Sequence, residues 1–290
     1  FKMTSVIKQL DAVTITKIAA GEVIDRPVSI VKELCENAID AGATQITIDI
    51  EDGGKQRIRI TDNGHGFYKD DLPLAPLKHS TSKIQALEDI YKTETFGFRG
   101  EALSSICHCA HLSITSKQEH APAYSITAHE DYISEVKPAS HSTGTTIDVQ
   151  GLFENLPVRQ RFLKTQATEF SYIYETCVHL SLIHPSIDFK LISNGIEKLN
   201  TTGVNSLFDV IFLLYGREAH DACIPVEESI GPNSFSGYIS NPTYTLSNKT
   251  KQVFSVNGRL IKNPLLSKAL QQSYKDIIPA RRFPLTVLNI

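Results

Sequence analysis

The sequence predicts an α+β fold in two parts, a larger domain over residues 1–203 and a smaller one over residues 204–290. Apolar residues recur at helical spacing in some segments and at every second position in others. The alternating segments follow one another closely, which predicts a mainly antiparallel sheet. A polar stretch, Asn200–Asn205, then precedes a fresh series of helices and strands and is the best candidate for a linker.

Residues 26–41 predict a mostly buried helix with one polar stripe. Asp25 is placed to be its N-cap, Pro27 lies in its first turn, and Gly42 follows Ala41 where a helix can end. Most of the circumference is apolar. The polar side chains fall on a single stripe at helical spacing, namely Ser29, Glu33, Glu36, Asn37 and Asp40.

The sheet is predicted to begin directly after this helix. Ile46, Ile48 and Ile50 alternate with polar residues, the pair Gly53-Gly54 turns the chain, and a second alternating segment follows. The same alternation returns in three later segments, at 112–116, 124–128 and 145–149. Residues 168–184 predict another helix, which Pro185 ends.

The remaining elements extend to the end of the chain. The pair Asn194-Gly195 predicts a hairpin turn between strands at 189–193 and 196–199. Beyond the linker we expect helices near 206–215 and 264–277 and strands near 235–240, 253–257 and 284–290.

The composition excludes several classes of protein. Apolar residues make up 41% of the chain and charged ones 21%, which is typical of globular proteins. The formal charge of -3 means that any basic surface must be local. No apolar run approaches the roughly 18 residues that span a bilayer. The 5 scattered cysteines suit a reducing compartment better than a disulfide framework. We therefore expect an intracellular protein with no membrane segment.

Three segments carry side chains suited to a nucleotide. Neither of the common glycine-rich phosphate loops is present in the sequence. Glu33 and Asn37, four residues apart on one helical face, can reach the same ligand. The amide oxygen of Asn37 suits Mg²⁺, and the carboxylate of Glu33 can orient or deprotonate a water molecule. A solvated helix face is the competing interpretation of this pair.

The other two segments combine glycines with polar side chains. Asp62-Asn63-Gly64-His65-Gly66 follows a strand, and a buried Asp62 could accept a hydrogen bond from an exocyclic amine such as that of adenine. An ordinary turn is the alternative there. The backbone N–H groups of Gly97–Leu103 could surround phosphates at a helix N-terminus, unless this segment is only a mobile surface loop.

Together these segments resemble the successive motifs of the GHKL ATPases. The strings are ELCENAIDA at 33–41, DNGHG at 62–66, TSK at 81–83 and GFRGEAL at 97–103. Within that group, IAAGEVI at 18–24, GFRGEAL and VNGR at 256–259 are similar to the MutL family of mismatch-repair proteins. The resemblance implies a GHKL (Bergerat-type) α/β sandwich followed by a ribosomal-protein-S5-like α+β domain.

The resemblance also implies residue roles in a Mg²⁺-dependent ATPase. Glu33 would be the general base, Asn37 the Mg²⁺ ligand, and Asp62 the residue that recognises adenine, with Thr145 assisting through a water molecule. A second-domain lysine that contacts the γ-phosphate would follow residues 283–290, beyond the printed sequence, so hydrolysis by this chain is left open. The other implied nucleotide contacts are Gly66, Thr81, Ser82, Lys83, Gly97, Phe98, Arg99, Gly100, Glu101, Ala102 and Leu103.

The partners implied are DNA, bound largely without sequence preference, and a mismatch-recognition protein of the MutS type. ATP would act as a switch that closes a homodimer, or a heterodimer with a MutL paralogue, around DNA, with residues 1–20 reaching the partner chain. We expect a bacterial protein in the cytoplasm near the nucleoid, or a nuclear one if eukaryotic. The alternatives are a MutL paralogue that serves as a structural dimer partner, and a topoisomerase subunit or histidine kinase.

Two further clusters are weaker candidates for function. Cys107, His108, Cys109 and His111 lie too close in sequence to surround a zinc ion, so we expect them to end a helix and enter a strand. A set of basic residues could line a groove for a phosphate backbone, although solvated faces explain them nearly as well: Arg159, Arg161, Lys164, Arg259, Lys262, Lys268, Arg281 and Arg282.

Overall fold

The computed structural model describes residues 23–78, 80 and 101–290. Contacts between residues divide the chain into two compact units. Unit 1 contains the described residues up to Ile173 together with Ile192–Ile196, and unit 2 contains Tyr174–Leu191 and Glu197–Ile290. The boundary between the two units falls within the helix Gln166–Ile183. The second half of this helix supplies Val178 and Leu182 to the core of unit 2. A single domain boundary between residues 203 and 204 stays a prediction.

Helix α1, Pro27–Asp40, opens the described part of unit 1. Pro27 occupies the first turn as predicted, but the N-cap is Arg26 and not Asp25. The Asp25 carboxylate instead accepts a hydrogen bond from the Ser29 hydroxyl at 2.5 Å. A side chain one residue before the cap can hold the first turn without bonding its backbone, so residue type alone placed the cap one position early.

In the sheet of unit 1, neighbouring strands from β1 to β7 pair in antiparallel directions. Its strands lie in the order β5-β4-β3-β7-β2-β1, and β6 pairs with β4. A short 3-10 turn, Asp52–Gly54, joins β1 to β2. The bounds are β1 Gln45–Glu51, β2 Arg57–Asp62, β3 His111–Lys117, β4 Ala123–His129, β5 Tyr132–Ile133, β6 Lys137–Ala139 and β7 Gly144–Gln150. The predicted alternation is confirmed in β1, β2, β3, β4 and β7.

The two faces of this sheet differ in chemistry. One face is lined by buried aliphatic residues and carries α1. The other is polar, and its centre is an ion-pair network in which Arg57 and Arg59 both contact Asp148 across strands β2 and β7, at 2.5 and 2.8 Å. A cavity of about 500 Å³ lies on this polar face, and the residues that line it include His111, His129 and Gln150.

Three further helices belong wholly or partly to unit 1. Helix α2, Ala102–Cys109, contacts α1 and leads into β3. The short helix α3 is Pro157–Gln160, and α4 is Gln166–Ile183, which begins two residues earlier than predicted. The strands β8, Asp188–Ser193, and β9, Ile196–Asn200, form the predicted hairpin. In its turn, the N–H of Asn194 donates to the carbonyl of Ile50 at 2.9 Å.

Unit 2 has two sheets and two helices of its own. The five-stranded sheet has the order β10-β11-β16-β13-β14, and only the β13–β16 pair is parallel. The core joins Val210 and Ile211 of α5 to Val253 and Val287 of the sheet. The bounds are α5 Leu207–Asp221, β10 Cys223–Ile230, β11 Asn233–Ser240, β12 Thr245–Leu246, β13 Gln252–Val256, β14 Arg259–Ile261, α6 Pro264–Ser273, β15 Phe283–Pro284 and β16 Thr286–Asn289.

The α+β class is confirmed, and the deviations are local. Helix α5 continues to Asp221, although Gly216 interrupts its regular backbone close to the predicted end at residue 215. Helix α6 ends at Ser273 and not at residue 277. Among the described residues, no helix is long and apolar enough to cross a membrane. Their 5 cysteines are all free thiols.

Candidate functional site

At one end of the sheet, three neighbouring strands carry a row of polar side chains on the face that is otherwise apolar. Thr145 of β7 is paired with Asp62 of β2 on one side and with Ser116 of β3 on the other. The preceding row on the same face is fully aliphatic, Ile60, Ile147 and Ile114. Because side chains alternate between faces, these strands place the polar row at the edge of the core. Asp62, Thr145 and Ser116 are called the polar row below.

The loop that follows Asp62 is fixed to the chain just beyond helix α1. The Asn63 side-chain oxygen accepts hydrogen bonds from the backbone N–H groups of Thr44 and Gln45, at 2.8 and 2.9 Å. The N–H of His65 donates to the carbonyl of Ala41 at 3.0 Å. Ala41 directly follows the last turn of α1, so the loop that begins at Asp62 is held at the end of the helix that carries Asn37.

Two glycines allow the backbone to pass closely around Asp62. Gly66 has a φ of 74°, and a Cβ atom there would overlap the carbonyl oxygen of Lys117. Gly144 has a φ of 124°, and a Cβ there would overlap the carbonyl oxygen of Asp62 itself. Both positions combine a conformation that favours glycine with no space for a side chain. These contacts give a physical reason for the glycine that ends the DNGHG string and for the glycine at position 144.

The electrostatics of Asp62 combine two opposing effects. Burial raises the pKa of the Asp62 carboxyl, while hydrogen bonds from the backbone of Gly64 and Thr145 act to lower it, and the net shift is upward. The bond from the Gly64 N–H measures 2.8 Å. The site therefore holds a partly desolvated carboxyl group that two amides keep in a fixed orientation, which suits an acceptor for a ligand N–H group.

The polar stripe of helix α1 is narrower than predicted. Glu33, Asn37 and Asp40 are partly exposed along one side of the helix. Glu36 is different, because it is only 7% exposed and lies 3.7 Å from the ammonium group of Lys32. Glu36 is therefore a buried member of the predicted stripe, and a lysine one turn earlier lies beside its carboxylate. Glu33 and Asn37 remain one turn apart on the side that is accessible.

Ser116 is the member of the polar row that the motif analysis missed. Its hydroxyl lies within hydrogen-bond distance of three groups, the N–H of Phe67, the carbonyl of Gly144 and the hydroxyl of Thr145. A signal was present in the sequence. Ser116 follows Leu112 and Ile114 at every second position, so a hydroxyl at this point had to face the core side of the sheet.

Part of the predicted site lies outside the described residues. Thr81, Ser82, Lys83, Gly97, Phe98, Arg99 and Gly100 belong to that part, as do residues 18–22 of the N-terminal motif. Of the predicted phosphate segment, Glu101, Ala102 and Leu103 are described. Glu101 is the N-cap residue of α2, and Ala102 and Leu103 form its first turn. The first N–H groups of a helix have no partner within it, so this end suits an anion.

The cysteine and histidine cluster lies at the end of one helix and the start of one strand, as expected. Cys107, His108 and Cys109 end helix α2, and His111 starts β3. The Cys109 thiol donates to the carbonyl of Ser105 at 3.1 Å, and burial raises the pKa of this thiol to about 12. Among the described residues there is no group of three or more His, Cys, Asp or Glu side chains arranged to hold a metal ion.

The described residues fit an adenine nucleotide with Mg²⁺ by the chemistry of their side chains. The polar row supplies acceptors for an amine at one end of the site. Asn37 supplies a neutral amide oxygen, a ligand type that Mg²⁺ accepts beside waters and phosphate oxygens. Glu33 supplies a carboxylate one helical turn away. The assignment of these roles to individual residues belongs to the proposal below.

Comparison with known proteins identifies relatives over nearly the whole chain. Residues 26–159 match the family described as "Histidine kinase-, DNA gyrase B-, and HSP90-like ATPase", and residues 211–290 match "DNA mismatch repair protein, C-terminal domain". The DNA mismatch repair protein MutL of Agathobacter rectalis is 42% identical over 96% of this chain and 43% of its own length. The MutL of Clostridium beijerinckii is 43% identical over 98% of this chain and 43% of its own length. The chain thus spans less than half the length of these two curated relatives.

Solved structures agree with the sequence relatives. An N-terminal domain of a DNA repair protein is 30% identical, with a TM-score of 0.80 over 95% of this chain and 86% of that one. The MutL ATPase domain of Aquifex aeolicus complexed with ADP is 27% identical, with a TM-score of 0.68 over 92% of each chain. The expected GHKL-type domain followed by a mismatch-repair C-terminal domain is therefore confirmed.

Proposed function

The chain belongs to the MutL family of DNA mismatch repair proteins, and from that premise we propose that its first unit binds ATP with Mg²⁺ and hydrolyses it slowly as a switch. The observation that carries the proposal is the polar row, Asp62, Thr145 and Ser116, held at the end of the helix that bears Glu33 and Asn37. The ADP bound to the Aquifex aeolicus domain supports a nucleotide in this fold.

The residues divide the work by their chemistry. Asp62 accepts a hydrogen bond from the exocyclic amine of adenine, and Thr145 assists at the same end. Asn37 binds Mg²⁺ through its amide oxygen, and the ion, when bound, offsets the negative charge of the phosphates. The N-terminus of α2, with Glu101, Ala102 and Leu103, faces the phosphates through its backbone N–H groups.

Glu33 is the residue we assign to the chemical step. A carboxylate one turn from the metal ligand can orient a water molecule and accept its proton as the water attacks the terminal phosphorus. Phosphoryl transfer needs little covalent chemistry from a protein, so positioning and charge stabilisation suffice. The family resemblance adds the predicted contacts of Gly66, Thr81, Ser82, Lys83 and residues 97–100.

The proposed partners extend to the whole protein. Nucleotide binding closes a dimer around DNA, with a second copy or a MutL paralogue as the partner chain, and relays recognition by a MutS-type protein to later repair steps. Arg259, Lys262, Lys268 and Arg281 of unit 2 are exposed and suit a phosphate backbone. Arg282 does not, because its guanidinium group is bonded to Thr245. The bacterial relatives favour a cytoplasmic protein that acts at the nucleoid.

A comparison of Glu33→Gln with wild type, in the full-length protein, tests the assignment. We expect the variant to bind a non-hydrolysable ATP analogue with unchanged affinity and to release phosphate at least about 100-fold more slowly, the worth of a general base. Glu135→Gln, an exposed change of the same chemistry, is the control and should match wild type. Phosphate release at the wild-type rate by Glu33→Gln would remove Glu33 from the mechanism. Absence of nucleotide binding by wild type would favour a structural dimer partner.

A further inference from the structure

The Ser116 hydroxyl is a buried junction between three parts of unit 1. The side chain is 1% exposed. It accepts a hydrogen bond from the N–H of Phe67 at 2.8 Å, in the loop that follows Gly66. It donates to the carbonyl of Gly144 at 3.0 Å, and its oxygen lies 2.9 Å from that of Thr145. Strand β3 thus supplies one atom that contacts both segments around Asp62.

Only one placement of hydrogens makes all three contacts hydrogen bonds. A serine hydroxyl has one hydrogen to donate. The carbonyl of Gly144 can only accept, so it takes that hydrogen, and the N–H of Phe67 can only donate. The contact with Thr145 is then a hydrogen bond only if the Thr145 hydroxyl donates to Ser116. Because the Thr145 hydroxyl donates its one hydrogen to Ser116, the Thr145 oxygen can only accept a hydrogen bond from any further partner.

We infer that Ser116 is a positioning residue that fixes the hydrogen-bond polarity of Thr145 and thereby makes the site prefer adenine over guanine. The inference rests on the proposed nucleotide site. Adenine presents an amine where guanine presents a carbonyl oxygen. The Asp62 carboxylate and a Thr145 oxygen that can only accept both suit the amine when they contact the base directly, whereas a bridging water, with hydrogens of its own, would not carry this distinction. A guanine carbonyl would meet acceptors alone, with no hydrogen to bind it.

Removal of Ser116 releases the Thr145 hydroxyl to turn and donate. We expect Ser116→Ala to lower the preference for the ATP analogue AMP-PNP over the GTP analogue GMP-PNP by roughly three- to tenfold, the worth of one hydrogen bond. The readout is the ratio of the two dissociation constants, measured calorimetrically with Mg²⁺ on the whole chain. A purely structural defect weakens both ligands alike and leaves that ratio unchanged.

Three further variants sharpen the comparison. Ser113→Ala removes a serine hydroxyl from the same strand on the opposite face of the sheet, and it should keep the wild-type ratio. Ser116→Thr keeps the hydroxyl group and should also keep the ratio. In a Thr145→Val background, Ser116→Ala should have no further effect, because the group that it controls is gone.

The outcomes separate this inference from the proposed function. A ratio that falls in Ser116→Ala but not in Ser113→Ala supports the inference. Binding of AMP-PNP with an unchanged ratio in Ser116→Ala overturns it and leaves the nucleotide site standing. If Ser116→Ala does not fold, Thr145→Val and Thr145→Ser provide the test instead. Thr145→Val must lower the ratio and Thr145→Ser must keep it. A wild-type ratio in Thr145→Val overturns the inference. If wild type binds neither analogue, the proposed function and the inference fail together.

Discussion

Asp62 is the residue at which stability and binding conflict. Its carboxyl group is largely desolvated, and burial raises its pKa despite the amides of Gly64 and Thr145. The free protein would therefore be more stable with this group uncharged. The two amides could equally be bonded by a neutral side chain, so the charge of this carboxylate suits a further partner such as a ligand N–H group.

Replacement of Asp62 by Asn should separate the two effects. We expect the affinity for an ATP analogue to fall roughly 10- to 100-fold, because a charged acceptor becomes neutral, while the melting temperature of the free protein rises. The direction of the stability change follows from the raised pKa of Asp62 in the folded protein. The protonated carboxyl group stabilises the fold relative to the ionised one, so this stabilisation is lost as pH rises and the group ionises. Calorimetry and thermal unfolding near neutral pH measure both quantities.

The control for this substitution is Asp49→Asn, the same change on the opposite, polar face of the sheet. It should leave nucleotide affinity unchanged. An Asp62→Asn protein that melts below wild type yet binds the analogue as tightly would contradict the assignment of Asp62. For wild type, affinity should weaken as pH falls through the raised pKa of Asp62, since the protonated group no longer offers a charged acceptor.

At the scale of elements, the protonation of two histidines at the C-terminal end of helix α4 affects the stability of unit 2. Its second half carries His179, and His184 directly follows its last residue; burial lowers the pKa of both imidazoles. For His179 the carboxylate of Glu175 opposes this shift, and the charge of Lys262 adds to it. The folded unit therefore favours neutral imidazoles. Stability should fall as pH drops below the ordinary histidine value of 6.5 towards the lowered values.

The substitution His179→Gln should remove part of that acid sensitivity. We expect the free energy of unfolding of wild type to drop between about pH 7.5 and about pH 5.5, and the drop to shrink by about 1 kcal/mol in the variant. Urea titrations at both pH values measure it. His120→Gln, at a side chain that is 91% exposed, should retain the wild-type drop. An equal drop in His179→Gln would show that this imidazole does not sense the pH.

The elements also show what could be predicted from the sequence. Alternation located β1, β2, β3, β4 and β7 because one face of each is aliphatic and buried. Strand β10 escaped prediction because most of its residues are exposed and no apolar period marks it. Glu33, Asn37 and Asp62 were predicted from motifs, and their roles stay a prediction. Ser116 was not, because its role depends on a register between strands far apart in sequence, which a single chain's pattern does not specify.

At the scale of the molecule, the two units have different tasks in the proposed function. Unit 1 contains the polar row, the stripe of helix α1 and the N-terminus of α2. Unit 2 exposes cations that include Lys262 and Lys268. The chain as a whole carries a formal charge of -3, so attraction to DNA must come from such local patches and not from the total.

Salt dependence tests this local attraction. We expect the logarithm of the association constant for duplex DNA to fall linearly with the logarithm of salt concentration, because each neutralised phosphate releases counterions. The double variant Lys262→Gln/Lys268→Gln should bind more weakly and lose about 1 to 2 from the slope. Fluorescence anisotropy over a range of KCl concentrations gives both numbers. Lys198→Gln, also exposed in unit 2, is the control, and affinity without salt dependence would remove the contacts between these basic residues and the phosphates from the proposal.

The central claim is that helix α1 and the polar row form one site for ATP with Mg²⁺. Calorimetric titration of a non-hydrolysable ATP analogue into wild type and Asn37→Ala, each with and without Mg²⁺, tests it most directly, with the exposed Asn233→Ala as control. The account predicts saturable binding by wild type that weakens without Mg²⁺, and an Asn37→Ala protein that binds weakly whether or not Mg²⁺ is present. No saturable binding by wild type, or an Asn37→Ala protein with the wild-type dependence on Mg²⁺, would contradict it.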